Sequence, residues 1–518
     1  PWALEKAVYE TLFSQILDFS AVLPNGTSIP SQNVLIRCLE KYLRCGCEFL
    51  PMVHCAKFRA NEKPVELVLA MAALGSRYLF ESTQSHELYL IAKAITFERI
   101  RREDLHNAPN MFFEQDTTPS SGREKLERLQ TLVLLTELAS WADPRSSRDA
   151  PFIAGHLAVL VRRSGISESD KMPQDIEWFA WITIEERRRT LFAAYILSNL
   201  HSIAFGSPPL ILNHEIGLCL PGHAAQWRSA CAAEWKLVPR QPELHFQAKL
   251  SQIFDSDDRT EEAHISSFGN YLLIQGIIQE MYQQCVSLRT TPTNREAAIE
   301  TFERALQRWQ KGWETMQESS HDSELDPLYA KGPFALTSAA LFRLAHIRLV
   351  TEHNLSGQLL ISRDPQCILK RRDVEMLHRS SQVHRAVIHA THSLSVPVRL
   401  GIAFMKTTKT SIWSVEHSLC SLESAIFLKY WLDFVADKVH TLGTGALRKV
   451  ESQLLVIIRD IIKGTPLAST LSLPENSAAQ IERMGSIVLE IWSTIFQGVN
   501  VLDIENTIGA GLQVVAST

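Results

Sequence analysis

Five potential metal ligands crowd into one short stretch: Cys38, Cys45, Cys47, His54 and Cys55. Thiolate and imidazole suit zinc, but zinc modules pair their ligands about two to four residues apart around a turn. Here successive cysteines are seven, two and eight positions apart, along an amphipathic helix and its exit. The group reads as buried free thiols, which pack as small hydrophobes. A second candidate is DDRTE at 257–261, flanked by Asp255 and Glu262. Clustered carboxylates suit a hard cation such as magnesium, which in turn holds a diphosphate. Yet Asp257, Asp258 and Glu261 sit in a polar stretch without an apolar helical wall, and no second magnesium motif follows on a later helix. The run reads as a solvated acidic loop. His389 and His392 are three apart on a helix face, lack a cysteine or carboxylate in the pattern, and read as structural. GTG at 443–445 lacks the third glycine of a dinucleotide loop. HELYL at 86–90 lacks the second histidine of a metalloprotease helix, and no G-x-S-x-G elbow occurs. No catalytic constellation and no metal site survive, so the chain is read as a non-enzyme that needs no cofactor of its own.

A sharper signal lies at 178–199. At 100° per residue, Trp178, Glu185, Arg189, Phe192 and Ile196 share one helical stripe. Glu185 precedes Arg189 by four positions, the favourable order for an ion pair on a helix. Two charges inside an aromatic stripe predict a partly buried pair that fixes packing register rather than catalyses. The basic runs Arg187–Arg189 and Lys370–Arg372 are short, and Glu185 and Glu186 offset the first. They read as ion-paired or solvated, not as DNA contacts.

The elements that must carry these side chains are helical. PVELVLAMAALGSRYLF (64–80) and LERLQTLVLLTELASWA (126–142) are apolar nearly all round, as buried helices are. Helical periodicity also covers 175–205, 265–288, 295–317, 334–353, 373–394, 411–439, 445–463 and 476–497. No strand–helix alternation appears, so an all-α fold is expected. At 518 residues the chain should divide into two lobes. The expected division is 1–240 and 263–518 around a polar seam at 241–262. An effector pocket is expected near 239–262, because pockets favour such junctions. Lys and Arg total 52 and Asp and Glu 57, a formal charge of −5, which argues against nucleic-acid binding by this stretch itself. No apolar run reaches the roughly 18 residues that span a bilayer. The opening PWALEKAVYE carries no secretory signal pattern. Because the first residue is Pro1, the chain is expected to be part of a longer one. With nine cysteines and no secretion signal, reduced thiols are expected.

The order of features is similar to a known family. FLPMVHCAKF (49–58) followed by ELVLAMAALGSRYLF (66–80) resembles the opening of the fungal-specific transcription factor domain, the "middle homology" region of fungal zinc-finger regulators. W-x-x-W-I-x-x-E-E-R-R-R-T (178–190), FGSPPLIL (205–212) and LCLP (218–221) resemble its most diagnostic stretch. On that resemblance Trp178, Trp181, Glu185, Arg188, Arg189, Pro208, Pro209 and Pro221 are expected to be structural positions. SSFGNYLLIQGIIQEMY (266–282), GPFALTSAALFRLAHIRL (332–349) and WSVEHSLCSLESAIFLKYWL (413–432) resemble the subgroup with a pair of two-cysteine two-histidine fingers. Relatives with a binuclear zinc cluster often carry an Asp just beyond the arginine run; Tyr195–Leu200 has none, which fits the finger subgroup.

The resemblance implies a nuclear regulatory domain of a transcription factor acting through RNA polymerase II. Zinc would belong to DNA-binding fingers upstream, which are absent here, and DNA would be reached only through them. Coregulator proteins, a small-molecule effector or a second copy are the implied partners, and no membrane. Two alternatives remain open at this point: an all-α magnesium enzyme of the terpene-synthase type, using Asp257 and Asp258, or a stand-alone helical interaction protein.

Overall fold

The computed structural model describes residues 4–107, 119–173, 175–255, 265–287, 292–315, 333–351, 354–370, 379–411 and 413–517. The acidic run 257–261 lies outside them, as do Arg371 and Arg372. Among the described residues every regular element is helical, and the β pairing there is one isolated bridge, Cys219 to His245. The fold is all-α.

Two compact units form. The first comprises Pro1–Ser198, Leu210–Lys249 and Thr260–Gly269; the second comprises Asn199–Pro209, Leu250–Arg259 and Asn270–Thr518. They interleave in sequence instead of parting at one seam, because the helix that starts at Trp178 continues past Ser198 to Phe205.

The first unit is built from α1 (Lys6–Leu17), α2 (Gln32–Lys41), α3 (Cys47–Phe49), α4 (Val65–Tyr78), α5 (Ser82–Asn107), α6 (Pro119–Glu137) and α7 (Ala150–Arg163). The larger part of α8 (Trp178–Phe205), with α9 (Ala224–Trp227), α10 (Ala232–Leu237) and the start of α11 (Phe246–Phe254), completes it. Helix α4 is central, and each residue from Val65 to Arg77 is buried. That burial explains why its composition is apolar nearly all round. A Cβ on Gly75 would stand 1.9 Å from the carbonyl oxygen of Cys38, so α2 and α4 meet backbone to backbone there. Only glycine permits that approach. Gly75→Ala is expected to lower stability by about 3 kcal/mol, the upper end for overpacking, read as a fall in the urea midpoint.

Helix α4 ends with two reversed bonds: Phe80 N–H donates to the Arg77 carbonyl at 2.9 Å, and Glu81 N–H to that of Ser76 at 2.9 Å. This closure needs a left-handed residue, normally glycine or asparagine. Phe80 fills it at φ 61° with 52% of its surface exposed. Phe80→Asn should therefore raise stability by about 0.5–1 kcal/mol through relief of left-handed strain. An unchanged or lowered melting temperature would contradict this.

The second unit holds most of α12 (Ser267–Ser287), then α13 (Pro292–Glu314), α14 (Pro333–Val350), α15 (Gly357–Ser362), α16 (Ser381–Leu400) and α17 (Ile402–Thr408). It continues through α18 (Val415–Leu442), α19 (Lys449–Lys463), α20 (Ala478–Phe496) and α21 (Ile504–Ala516). Helix α18 packs on α14, α16 and α20, which accounts for its long buried run from Val415 to Leu428. Serine N-caps start two of these helices: Ser380 Oγ accepts from Val383 N–H, and Ser477 Oγ from Gln480 N–H, both at 3.2 Å.

Four histidines of this unit are held neutral. Burial lowers His201 and His389 to about 4 and His346 and His417 to about 3. In the unfolded chain each would bind a proton near pH 6.5. Between that pH and about 4 the unfolded state binds more protons, so stability is fully present above pH 6.5 and declines below it. The melting temperature should fall steadily from pH 7 to pH 5; a flat profile would refute this.

Candidate functional site

The N-terminal half of α8 gathers the charges that the sequence singled out. Trp178, Trp181 and Ile182 on this helix form a buried cluster with Met172, Trp227 and Trp235. Arg189 Nε donates to Glu185 Oε1 at 2.7 Å, with 3% and 0% of the two side chains exposed. The same Oε1 accepts Gly222 N–H at 2.8 Å, and Arg189 Nη2 returns a bond to the Gly222 carbonyl at 2.8 Å. The Arg189 guanidinium lies 4.2 Å over the Trp227 ring and 5.4 Å over Phe268. Ser266 Oγ donates to the carbonyl of Pro221 at 2.7 Å and holds that turn in place.

Arg188 is the hub. Its Nε donates to Asp170 Oδ2 at 2.6 Å, Nη1 to Glu185 Oε2 at 3.2 Å and Nη2 to Glu243 Oε1 at 2.8 Å. Nη2 also reaches the Asp170 carbonyl at 3.1 Å. Each carboxylate has a backbone donor as well: Asp170 Oδ1 takes Cys219 N–H at 2.8 Å, and Glu243 Oε2 takes Met172 N–H at 2.6 Å. Burial by itself would pull the Arg188 guanidinium down, but Glu185 and Asp170 outweigh it and hold the group above its ordinary value. The third member of the run, Arg187, donates to the carbonyls of Ser164 and Gly165 at 2.6 and 2.9 Å beyond the end of α7. All three arginines thus turn onto protein partners.

The chain segments that reach this hub are tied together. Leu220 N–H donates to the Leu244 carbonyl at 2.7 Å, and Phe246 N–H to that of Leu218 at 3.0 Å. Beside the hub lies a cavity of about 40 Å³, lined by Trp181, Arg188, Gly222, Gln226, Arg240 and Glu243 among others. That volume suits a water molecule or two. On the next turn of the surroundings, Glu186 accepts the backbone N–H of His54 at 2.8 Å. The His54 ring meets Trp227 edge-on at 5.0 Å and Trp178 at 6.0 Å. Burial, then the charges of Arg189 and Lys57, lower His54 to about 4.

Two arginines and three carboxylates here satisfy one another, with charge-assisted bonds to backbone groups. The arrangement clamps three stretches distant in sequence, around 170, 185–189 and 219–243. Of the eight residues that the resemblance marked, Trp178, Trp181, Glu185, Arg188, Arg189 and Pro221 meet in this region. Pro208 is exposed and Pro209 buried, and both belong to the second unit. Sequence reasoning found the Glu185–Arg189 pair but missed Asp170 and Glu243, since nothing local ties a lone acid in a loop to a helix. It also missed Arg188 as the hub, because three consecutive arginines look alike until their neighbours are known.

The other candidates disperse. His54 packs among tryptophans rather than with the cysteines, and Ser76 Oγ donates to Cys38 Sγ at 3.1 Å. His389 stacks on His346 with ring centroids 4.2 Å apart and meets the Phe342 edge at 5.3 Å. No group of three or more His, Cys, Asp and Glu side chains among the described residues is placed to hold a metal ion.

Comparison with known proteins gives matches over both halves. The fungal specific transcription factor domain matches residues 39–311, and the fungal transcription factor C-terminal domain matches residues 354–514. Zinc finger protein klf1 of Schizosaccharomyces pombe is 22% identical over 220 residues, which cover 40% of this chain and 26% of that protein. Zinc finger protein zas1 of the same yeast is 22% identical over 194 residues, covering 36% of this chain and 20% of that protein. The matched stretch thus spans about a quarter or less of each relative. No solved structure matches.

Proposed function

Because the chain belongs to the fungal-specific transcription factor domain family, we propose that it is the regulatory portion of a nuclear zinc-finger transcription factor acting through RNA polymerase II. The observation that carries this reading is the pair of family matches, 39–311 and 354–514, in consecutive order. Family membership points to a regulator rather than an enzyme, which speaks against the magnesium-dependent alternative. In this reading DNA is contacted by fingers outside these 518 residues, and zinc belongs to them. The formal charge of −5 and the inward-facing arginine run support that division of labour. No helix among the described residues is long and apolar enough to cross a membrane.

Regulation requires a helical unit that an effector or coregulator biases between two arrangements. The clamp around Arg188 supports such a role, since few charged groups decide whether three chain segments stay joined. The test has two arms. The isolated 518-residue chain should bind duplex DNA only weakly, with steep salt dependence and no sequence preference, in fluorescence anisotropy. Fused to an unrelated DNA-binding domain, it should change transcription of a reporter carrying that domain's site. Nanomolar sequence-specific binding by the chain alone at physiological salt, or a fusion without effect on the reporter, would overturn the proposal.

A further inference from the structure

Gln226 belongs to the short α9, whose other buried side chain, Trp227, lies under the Arg189 guanidinium. Only 5% of Gln226 is exposed. Its backbone N–H donates to the His223 carbonyl at 3.1 Å, but its side-chain amide has no hydrogen-bond partner among the described residues. A primary amide offers two donors and one acceptor, and burying them unpaired costs stability. A ligand that supplies the partners removes that cost. The amide lines the cavity beside Arg188.

The lining of this cavity, about 40 Å³ in volume, belongs to the first unit. Trp181 and Met172 give it an apolar wall. A Cβ added to Gly222 would stand 3.3 Å from Cζ2 of Trp181 and 3.5 Å from Oε1 of Gln226. The indole, the bare backbone of Gly222 and the amide therefore meet at one point. Glu243 accepts from Arg188 Nη2 on one oxygen and from Met172 N–H on the other, and each oxygen keeps a further lone pair. Gln241, half-buried, also lines the cavity, and its side-chain amide too has no hydrogen-bond partner among the described residues. Exposed Arg240 and Pro242 mark the mouth. The surrounding charges cancel, with Arg188, Arg189 and Arg240 against Asp170, Glu185 and Glu243.

We propose that this cavity binds an uncharged primary carboxamide. An amide is the complement of Gln226: its N–H donates to Gln226 Oε1, and its carbonyl oxygen accepts from Gln226 Nε2. Its second N–H is left for the lone pairs of Glu243. An anion would face Glu243 and a cation would face Arg188, so a neutral group fits the balanced site better than either ion. The flat amide head packs against Trp181 and Met172. The volume suits that head, about three non-hydrogen atoms, with any longer body left at the mouth. Such a ligand replaces the hydrogen bonds that water makes with these groups. The proposal rests on the reading of this chain as a regulator that answers to an effector or coregulator, and it names the chemistry that would be recognised. The head is that of a free small amide or of a glutamine on a partner.

The test titrates acetamide into the 518-residue chain, followed by saturation-transfer NMR. Saturable binding with a millimolar Kd is expected, the affinity so few atoms can supply, with a rise in melting temperature at saturation. Acetate and ethylammonium, close in size but charged, should bind about tenfold more weakly or worse. Gln226→Leu keeps the volume and removes the amide. Because no protein group bonds that amide, the variant should fold as the wild type does and lose the acetamide signal. N-acetylglutamine methylamide carries the same head on a peptide body. Acetamide binding the more tightly assigns the site to a free molecule, and the capped glutamine binding the more tightly assigns it to a partner's side chain. No saturable binding of either amide, equal binding of acetate or ethylammonium, or binding retained in a folded Gln226→Leu would overturn the proposal. The wild-type comparison with the two ions decides the matter even where the variant fails to fold. A reporter fusion without effect would overturn the regulatory reading instead and leave amide binding as measured.

Discussion

Replacing Arg188 with alanine should lower the unfolding free energy by about 3–5 kcal/mol, the loss that follows removal of one partner from a buried ion pair. Arg188 is 2% exposed, and the carboxylates it serves, Asp170, Glu185 and Glu243, are 4%, 0% and 17% exposed. Without the guanidinium these acids would keep their backbone donors but face each other with less cationic charge than they need. Arg189→Ala should be milder, about 2 kcal/mol, the scale of a lost charged hydrogen bond. Glu185 would still have Arg188 at 3.2 Å and Gly222 N–H at 2.8 Å. Arg188→Lys should rescue little, because a single ammonium cannot reproduce a planar fork that meets three carboxylates. Urea unfolding followed by tryptophan emission measures all three. An Arg188→Ala variant no less stable than Arg189→Ala would show that Arg188 is not the hub.

The second large effect is expected in the other unit. Lys409 is 1% exposed, with Nζ 3.1 Å from Glu505 Oε2, a further bond to Asn500 Oδ1, and the Phe496 ring at 5.4 Å. Burial lowers the lysine from its ordinary value, while Glu505 works against that shift. Glu505 also accepts from Ser418 Oγ at 2.6 Å. Lys409→Met keeps most of the volume but leaves Glu505 buried without its cation, a loss of about 3–5 kcal/mol. Adding Glu505→Gln should return much of it, because the stranded charge is then gone. A double variant as unstable as the single one, in the same unfolding assay, would show that packing rather than charge sets the loss.

How much of this was legible beforehand differs by residue. The burial of α4 was written in its composition: Val65 to Gly75 is apolar nearly all round, with Glu66 its one charge, and a helix of that kind has no stable place except inside. The Glu185–Arg189 pair was legible for a similar reason, since a four-residue spacing on a helix already fixes which side chains meet. Lys409 gave no such sign. In sequence it stands in a polar stretch, MKTTKTS, that reads as a surface turn, and its partner Glu505 is 96 residues away. The left-handed Phe80 was equally silent, because nothing about phenylalanine signals a position that favours glycine.

By itself, the sequence determined what depends on neighbours along the chain. That includes the helical periods, the all-α class, the ordered motifs of the family, the mild acidity, and the pair one helical turn apart on α8. The tertiary structure alone decided what depends on neighbours in space: Asp170 and Glu243 closing on Arg188, Gly75 against the Cys38 carbonyl, and Glu505 under Lys409. Period and propensity act over one or two turns, so a sequence reveals them directly. A buried charge takes its meaning from the partner that packing delivers to it, and that partner has no fixed spacing.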